Sequence, residues 1–100
     1  MRDKYTIVGT ATSDLGRTGQ DSLQLLEQAM RRAIDDAGLK VSDIDGIVSR
    51  GADDIYTHHQ RVGARLGIDV RFSTSLDNGG ASQILAVALA CMAIDAGLAT

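Results

Sequence analysis

The stretch that decides the fold covers residues 77–97, DNGGASQILAVALACMAIDAG. It opens with the turn signal Asp77-Asn78-Gly79-Gly80 and continues as a helical pattern from Ala81 to Ala96. The polar residues within that pattern are Ser82, Gln83 and Asp95. Because a helix that is apolar on every side is normally buried, we predict a glycine turn that leads into a helix inside the protein.

Upstream of this stretch, strand patterns alternate with helical ones. Strands are predicted at residues 5–9, 47–49 and 69–74, and helices at Ser22–Ala37 and Tyr56–Leu66. Asp21 and Gln24 have the spacing of a capping box, and Gly38 suits the residue after a helix end. With the last helix, the order β-α-β-α-β-α predicts a layered α/β fold.

Composition excludes several classes of function. The chain has 100 residues, of which 44% are hydrophobic, and a net charge of −3 with both signs interspersed. No basic stripe is present to follow a phosphate backbone, so we expect no nucleic-acid partner. The longest apolar run, Ile84 to Ile94, is too short to cross a bilayer, so we expect no membrane span. A single cysteine cannot form an internal disulfide and fits a cytoplasmic location.

The glycine turn has two interpretations on spacing alone. A helix N-terminus presents N–H groups and a partial positive charge, and Gly79-Gly80 would let a ligand approach the backbone. The turn could therefore hold an anion or a developing oxyanion. Alternatively, the glycines only make the turn and Ser82 only caps the helix, which is the interpretation that spacing alone favours.

The histidines and the cysteine of the chain are poor candidates for a metal site or a catalytic role. His58 and His59 are adjacent on a predicted helix and point about 100° apart, so they are a poor chelating pair. With Asp53 and Asp54 they could approach a metal, but no second ligand element matches, and we predict no metal site. Cys91 lies three turns into the apolar helix and is expected to be a small core residue.

The segment from Thr74 to Ala99 resembles the nucleophile segment of the thiolase superfamily. In that family a strand and an asparagine precede C-x-S-G, which opens a buried helix ending in I-x-x-G. Ser82, Ala86, Ile94 and Gly97 match the family serine, small residue, isoleucine and closing glycine, whereas the family glycine after the serine falls on Gln83. The family cysteine then falls on Gly80. Within the family, the sequence pattern is most similar to that of sterol-carrier-type proteins that lack this cysteine. The segments YTIVGTATSDLGR and AMRRAIDDAGLKVSDIDGIV are similar to the family's first strand, first helix and second strand.

The resemblance implies a five-layer α-β-α-β-α thiolase fold in the full-length protein, with residues 1–100 as an incomplete part of its N-terminal domain. It implies a homodimer, no bound cofactor and a coenzyme A thioester as substrate. Relatives without the cysteine cleave C–C bonds by retro-aldol chemistry beside a small OB-fold zinc-ribbon partner. The histidine region would then lie near a polar dimer contact.

The residue at position 80 decides which mechanism can be expected. Glycine cannot form the acyl-enzyme of a thiolytic enzyme, so the resemblance implies an acyl-CoA aldolase with no certain catalytic side chain in this segment. Asn78 and Ser82 are candidates for lining the site, and Gly79 and Gly80 for binding the thioester. Ser82 as a substitute nucleophile would need an adjacent base, and a capping role is preferred.

Three alternatives stay open at this point. The chain could belong to a catalytically reduced thiolase-like subunit that supports a partner. It could be an acyl-CoA acyltransferase with a non-standard nucleophile. Without any family, it could be a small α/β domain that binds an anionic ligand at the Gly79-Gly80 helix start.

Overall fold

The computed structural model describes residues 3–50 and 57–100, and it confirms an α/β fold. In chain order the elements are α1 (Ser22–Asp36), β1 (Gly46–Ser49), α2 (His58–Leu66), β2 (Phe72–Ser75) and α3 (Ser82–Asp95), with 3-10 turns at Val41–Asp43 and Gly79–Ala81. The two strands pair in parallel, with Gly46 opposite Phe72 and Ser49 opposite Ser75. Both carboxyl ends therefore lie at the same edge of the sheet.

Helix α1 begins and ends where the sequence predicts. Asp21 accepts a hydrogen bond from the Gln24 N–H at 2.8 Å, and the Gln24 side chain accepts one from the Asp21 N–H at 2.9 Å. These reciprocal bonds form the predicted capping box. Gly38 then adopts a φ of +72°, and the Leu39 N–H donates to the Ile34 carbonyl at 3.1 Å, which closes the helix.

The core lies where α1 and α2 pack on β1. Ile47, Val62 and Leu66 are its buried residues, so the predicted inward positions of α2 are confirmed. Partly buried residues of α1 and of the segment after α2 pack around them: Leu23, Leu26, Met30 and Ile68. Gly67 ends α2 with a φ of +73°, also as predicted.

The third helix lies on the other face of the sheet. Side chains alternate between the faces of a strand, so Gly46 faces away from Ile47. A Cβ placed on Gly46 would lie 3.2 Å from the Cβ of Ala99, just beyond α3, whereas Ile47 meets α2 at Gly63. The described residues thus form three layers, helix–sheet–helix.

The strand predicted at residues 5–9 is wrong for the described part of the chain. This segment forms no ladder with β1 or β2, and Ile7 is 66% exposed. It is held instead at its two ends, where Tyr5 donates a hydrogen bond to Asp95 at 2.6 Å and the Thr10 N–H donates to Asp36 at 3.1 Å. A strand requires a hydrogen-bonded neighbour, and β-branched composition does not supply one.

Strand β2 begins at Phe72, three residues later than predicted. The ladder is limited by β1, whose first residue Gly46 is opposite Phe72. Residues 69–71 therefore have no strand beside them, and the Arg71 N–H donates instead to the Asp45 carbonyl at 2.8 Å.

The prediction of a fully buried third helix is also wrong for the described residues. Only Ser82, Ala86 and Ala93 of α3 are buried, whereas Ile84 is 79% exposed. The helix packs on β1 along one side, and Asp95 at its end bonds with Lys4 and Tyr5, while much of its outer face is exposed among the described residues. None of the helices in the two described ranges is long and apolar enough to cross a membrane.

Candidate functional site

Ser82 closes the glycine turn with two bonds to the backbone. Its Oγ donates to the Gly79 carbonyl at 2.8 Å and accepts from the Asn78 N–H at 2.7 Å, and the residue is 1% exposed. The single hydroxyl proton is thus used within the turn. The predicted capping role of Ser82 is wrong: the N-cap position of α3 is Ala81, and no side-chain cap bond is made there. Ser82 is the first residue of the helix, and its hydroxyl bonds the preceding turn instead. This arrangement favours a structural role for Ser82.

The two glycines of the turn differ in what they require. Gly79 has a φ of +62°, a left-handed conformation that side chains other than glycine rarely adopt. Gly80 does not have a positive φ, and a Cβ built on it would meet no atom of the described chain within 4 Å. The backbone therefore demands glycine at position 79 only, and position 80 has space for a side chain that the sequence does not provide.

The neighbours of the glycines face outward. Asn78 uses its backbone N–H within the turn, while its exposed side chain makes no capping bond. The carboxylate of Asp77 lies 3.6 Å from the Arg50 guanidinium. Because Arg50 directly follows β1, this ion pair joins the loops that leave the two strands. The loops therefore meet at the carboxyl edge of the sheet, where ligands bind in open α/β folds.

Two histidines occupy the same edge. The first two residues of α2 each contact the last residue of a strand: His58 Nδ1 lies 2.9 Å from Ser49 Oγ, and His59 Nδ1 lies 2.5 Å from Ser75 Oγ. In the sequence analysis these histidines are a poor chelating pair, and the resemblance places them near a polar dimer contact. Their partnership with the serines was missed because it depends on the register that places Ser49 opposite Ser75.

The two pairs differ in burial. His58 and Ser49 are buried, and burial lowers the pKa of the His58 imidazole, with a smaller contribution from the nearby His59. His59 is half-buried and Ser75 is exposed. The His58–Ser49 pair therefore lies in the interior, below this edge of the sheet. The His59–Ser75 pair lies at the surface of the described residues.

The candidate metal ligands and the cysteine are only partly covered by the described residues. Within residues 3–50 and 57–100, no group of three or more histidine, cysteine, aspartate or glutamate side chains could hold a metal ion. Asp53 and Asp54, the other members of the sequence-based cluster, lie outside the described residues, as does Tyr56. Cys91 is a half-buried free thiol well inside α3.

Two apolar cavities of the described chain lie away from the glycine turn. One of about 130 Å³ lies between the sheet and α3, and Val48, Phe72 and Ala90 are among its lining residues. A second, of about 220 Å³, lies between β1 and α1. Neither of these two cavities is lined by residues 77–82, and Gly79 and Gly80 are exposed among the described residues.

Several known proteins are similar to this chain in sequence or in structure. No family model matches the sequence. A steroid side-chain-cleaving aldolase of Thermomonospora curvata is 33% identical over 94 residues, which cover 93% of this chain and 24% of the relative. The solved Ltp2-ChsH2(DUF35) aldolase is 34% identical with a TM-score of 0.81, covering 93% of this chain and 24% of its own.

Two further solved structures extend the likeness. An acetyl-CoA acetyltransferase from Syntrophomonas wolfei is 26% identical with a TM-score of 0.76, over 93% of this chain and 26% of that one. The chain is thiolase-like. A 3-oxoacyl-[acyl-carrier-protein] synthase III from Aquifex aeolicus, 19% identical with a TM-score of 0.69 over 80% of this chain and 27% of its own, shares the fold. The thiolase-like chain spans about a quarter of the length of these relatives.

Proposed function

We propose that the protein is an acyl-CoA aldolase that cleaves the Cα–Cβ bond of a β-hydroxyacyl-CoA by retro-aldol chemistry. The observation that carries this proposal is the glycine at position 80 in a thiolase-like chain, and the two matches above that exceed 30% identity are both named aldolases. A thiolytic enzyme needs a nucleophile that forms an acyl-enzyme, and Gly80 has no side chain.

The neighbouring hydroxyl does not replace that nucleophile. Ser82 is buried, and its proton is donated to the Gly79 carbonyl. An activated serine instead needs a base within hydrogen-bond reach. The absence of a reactive side chain at the turn favours a reaction in which the enzyme moves protons and stabilises an enolate.

The glycine turn is suited to the thioester end of such a substrate. Helix N-terminal N–H groups and the partial positive charge there would stabilise the enolate oxygen that develops as the bond breaks. Asn78 and Gly79 would border the thioester, and the space above Gly80 would admit a bulky acyl group. The proposed substrate is a coenzyme A thioester, and retro-aldol cleavage of such a substrate uses no bound cofactor in this proposal.

The comparison with the solved aldolase supports a proposal about partners. The solved aldolase named Ltp2-ChsH2 pairs two components, and we propose that this protein likewise works with a small OB-fold zinc-ribbon partner. We also propose that it forms a homodimer in the cytoplasm. Purification of the full-length protein with each candidate partner, followed by mass measurement of the assembly, tests both statements.

The decisive assay incubates the full-length protein with a β-hydroxyacyl-CoA and follows release of a ketone or aldehyde together with the shortened acyl-CoA. Gly80→Leu fills the space above the turn, so it should lower kcat/KM while the melting temperature stays close to that of the parent. Gln83→Leu, at an exposed position nearby, is the matched control and should leave kcat/KM unchanged. Thiolysis of a 3-oxoacyl-CoA by free coenzyme A at an ordinary enzymatic rate would contradict the proposal.

A second candidate is a subunit that has kept the fold and lost the chemistry. The lack of a side chain at Gly80 and the hydrogen bonds of Ser82 within the turn support this candidate as well as they support the aldolase. The same assay separates the two, because a reduced subunit would show no turnover alone or with its partner but would raise the activity of that partner when added to it.

A further inference from the structure

The chain that precedes α1 doubles back along that helix and is fastened to it by polar side chains. The backbone N–H of Asp14 donates to Gln28 Oε1 at 2.7 Å, and Gln28 Nε2 donates to the Asp14 carboxylate at 3.1 Å. Arg32 donates to the same carboxylate at 3.0 Å and to the Thr12 carbonyl at 3.1 Å. Because the bond between Arg32 and Asp14 joins two charged groups, Asp14 is a firm attachment point on α1.

Residues 15–20, which we call the strap, connect Asp14 to the capping box of α1. Both glycines of the strap have a positive φ, +82° at Gly16 and +74° at Gly19. A Cβ on either glycine would meet no atom of the described chain within 4 Å, and Leu15 is 87% exposed. The strap is therefore attached at both ends, and these three residues of it are not packed against the described chain.

The strap lies toward the carboxyl edge of the sheet. The second half of α1 lies beside the start of β1, because Ile34 and Gly46 line the same cavity and the chain after α1 leads into β1. The first turn of α1 therefore lies toward the carboxyl edge, as the first turn of α2 does at His58. Since the strap leads into the first turn of α1, it lies above the edge at which the glycine turn follows β2.

The strap carries a guanidinium with no partner. Arg17 is exposed, and it forms no hydrogen bond or ion pair within residues 3–50 and 57–100. A guanidinium binds a phosphate group through two parallel N–H bonds, and ligands of open α/β sheets bind at the carboxyl edge. Arg17 is therefore placed to bind a phosphate group of a ligand at this edge. Four other arginines of the described ranges each contact a carboxylate: Arg31, Arg32, Arg65 and Arg71.

We propose that the strap closes over a bound coenzyme A thioester, with Arg17 on its phosphate groups and Leu15 against its pantetheine arm. This inference rests on the proposed function, which supplies the thioester, and it names the part of the chain that holds the other end of that substrate. With the thioester at the glycine turn, the nucleotide end lies over neighbouring elements of the same edge. Rotation about the backbone of Gly16 and Gly19 is enough for closure, because both ends of the strap stay attached to α1.

The first experiment compares two substrates of the full-length protein. Arg17→Gln should raise KM for a β-hydroxyacyl-CoA about 10-fold or more, the size expected for a lost hydrogen bond to a charged group, with kcat little changed. The same acyl group on pantetheine carries no phosphate, so its KM should be equal for the parent and Arg17→Gln. Arg17→Lys keeps the charge and should give an intermediate KM. Lys40→Gln removes an exposed positive charge beyond the other end of α1 and should change neither KM.

The second experiment needs no turnover. Trypsin cleaves after exposed arginine and lysine residues, so cutting after Arg17 in the full-length protein reports an open strap. Coenzyme A at about ten times its Kd should slow this cut about 10-fold, since the closed form is then populated to that extent. Pantetheine should not slow it, and cutting after Lys40, also exposed, is the internal control that coenzyme A should leave unchanged.

The outcomes separate this inference from the proposed function. If the parent cleaves a β-hydroxyacyl-CoA and Arg17→Gln has the parent's KM for it, the strap proposal is wrong and the aldolase function stands. If coenzyme A protects Arg17 but no β-hydroxyacyl-CoA is cleaved, the aldolase function is wrong and the strap proposal stands. A strap that trypsin cuts equally fast with and without coenzyme A, or cannot cut in the free protein, would overturn the proposal.

Discussion

At the scale of single residues, the two adjacent glycines of the turn are expected to respond differently to the same substitution. Gly79→Ala forces a Cβ into a left-handed conformation with a φ of +62°, which costs about 1–2 kcal/mol. Gly80→Ala has neither that strain nor a neighbour within 4 Å, and it reduces the freedom of the unfolded chain, so we expect a gain of about 0.4–1 kcal/mol. Thermal unfolding of the two variants of the full-length protein measures the difference. Equal losses would show that position 80 is enclosed in the complete protein.

The hydroxyl of Ser82 is expected to matter for stability. Ser82→Ala removes both bonds and leaves the Asn78 N–H and the Gly79 carbonyl without this partner, which should destabilise the protein by about 1–3 kcal/mol. Gln83→Ala, next in sequence and exposed, is the control and should change stability by less than about 0.5 kcal/mol. A destabilisation no greater than that of the control would mean that Ser82 does not hold the turn.

Residue types predict the turn better than they predict its surroundings. The pair Gly79-Gly80 indicates a turn, and Ser82 closes that turn through bonds to residues within four positions of it, although it does not cap the helix as predicted. The serine–histidine pairs span nine and sixteen positions, and no local pattern indicates them. They require the parallel register, which depends on the packing of both strands.

At the scale of elements, the start of α1 should be the most sensitive part of that helix. Asp21→Ala removes the acceptor of the capping box and should cost about 1 kcal/mol. Asp35→Ala also removes one acidic side chain, but from the last turn, where a negative charge is unfavourable to the helix dipole. We expect it to be neutral or slightly stabilising. Urea unfolding of both variants makes the comparison, and equal effects would exclude a specific role for the cap.

The helices were predictable to within a residue or two because caps and periodicity are local. Asp21, Gly38 and Gly67 each lie where their side chain or their φ requires them. The strands were less predictable, since a strand exists only with a partner. Residues 5–9 have β-branched composition but form no ladder with β1 or β2. Residues 69–71 are not part of β2 because β1 begins at Gly46, opposite Phe72.

At the scale of the whole molecule, stability is expected to fall on acidification because of His58. Burial lowers its pKa in the folded state below the ordinary value of 6.5, so the unfolded chain binds the proton more readily. The stabilising contribution of the neutral ring is therefore complete above about pH 6.5 and is lost as the pH falls through the lowered folded-state pKa. Melting temperatures at pH 7.5 and 5.5 should differ more for the parent than for His58→Gln, which cannot be protonated. An equal difference would mean that the ring is solvated.

The outer face of α3 governs how the 100-residue chain behaves by itself. Ile84 and Val87 are largely exposed, and a continuous apolar surface of this kind promotes association. The sequence predicted burial for this helix because its composition is apolar on every side, but the layer that would cover the outer face is not among the described residues.

We therefore expect the isolated chain to bind a hydrophobic dye and to self-associate in sedimentation experiments. Ile84→Glu should reduce both, whereas Gln83→Glu, which adds the same charge one position earlier at a site that is already polar, should change neither. A monomeric chain that binds no dye would mean that α3 finds its cover within these 100 residues, and the three-layer arrangement would then be incomplete as described.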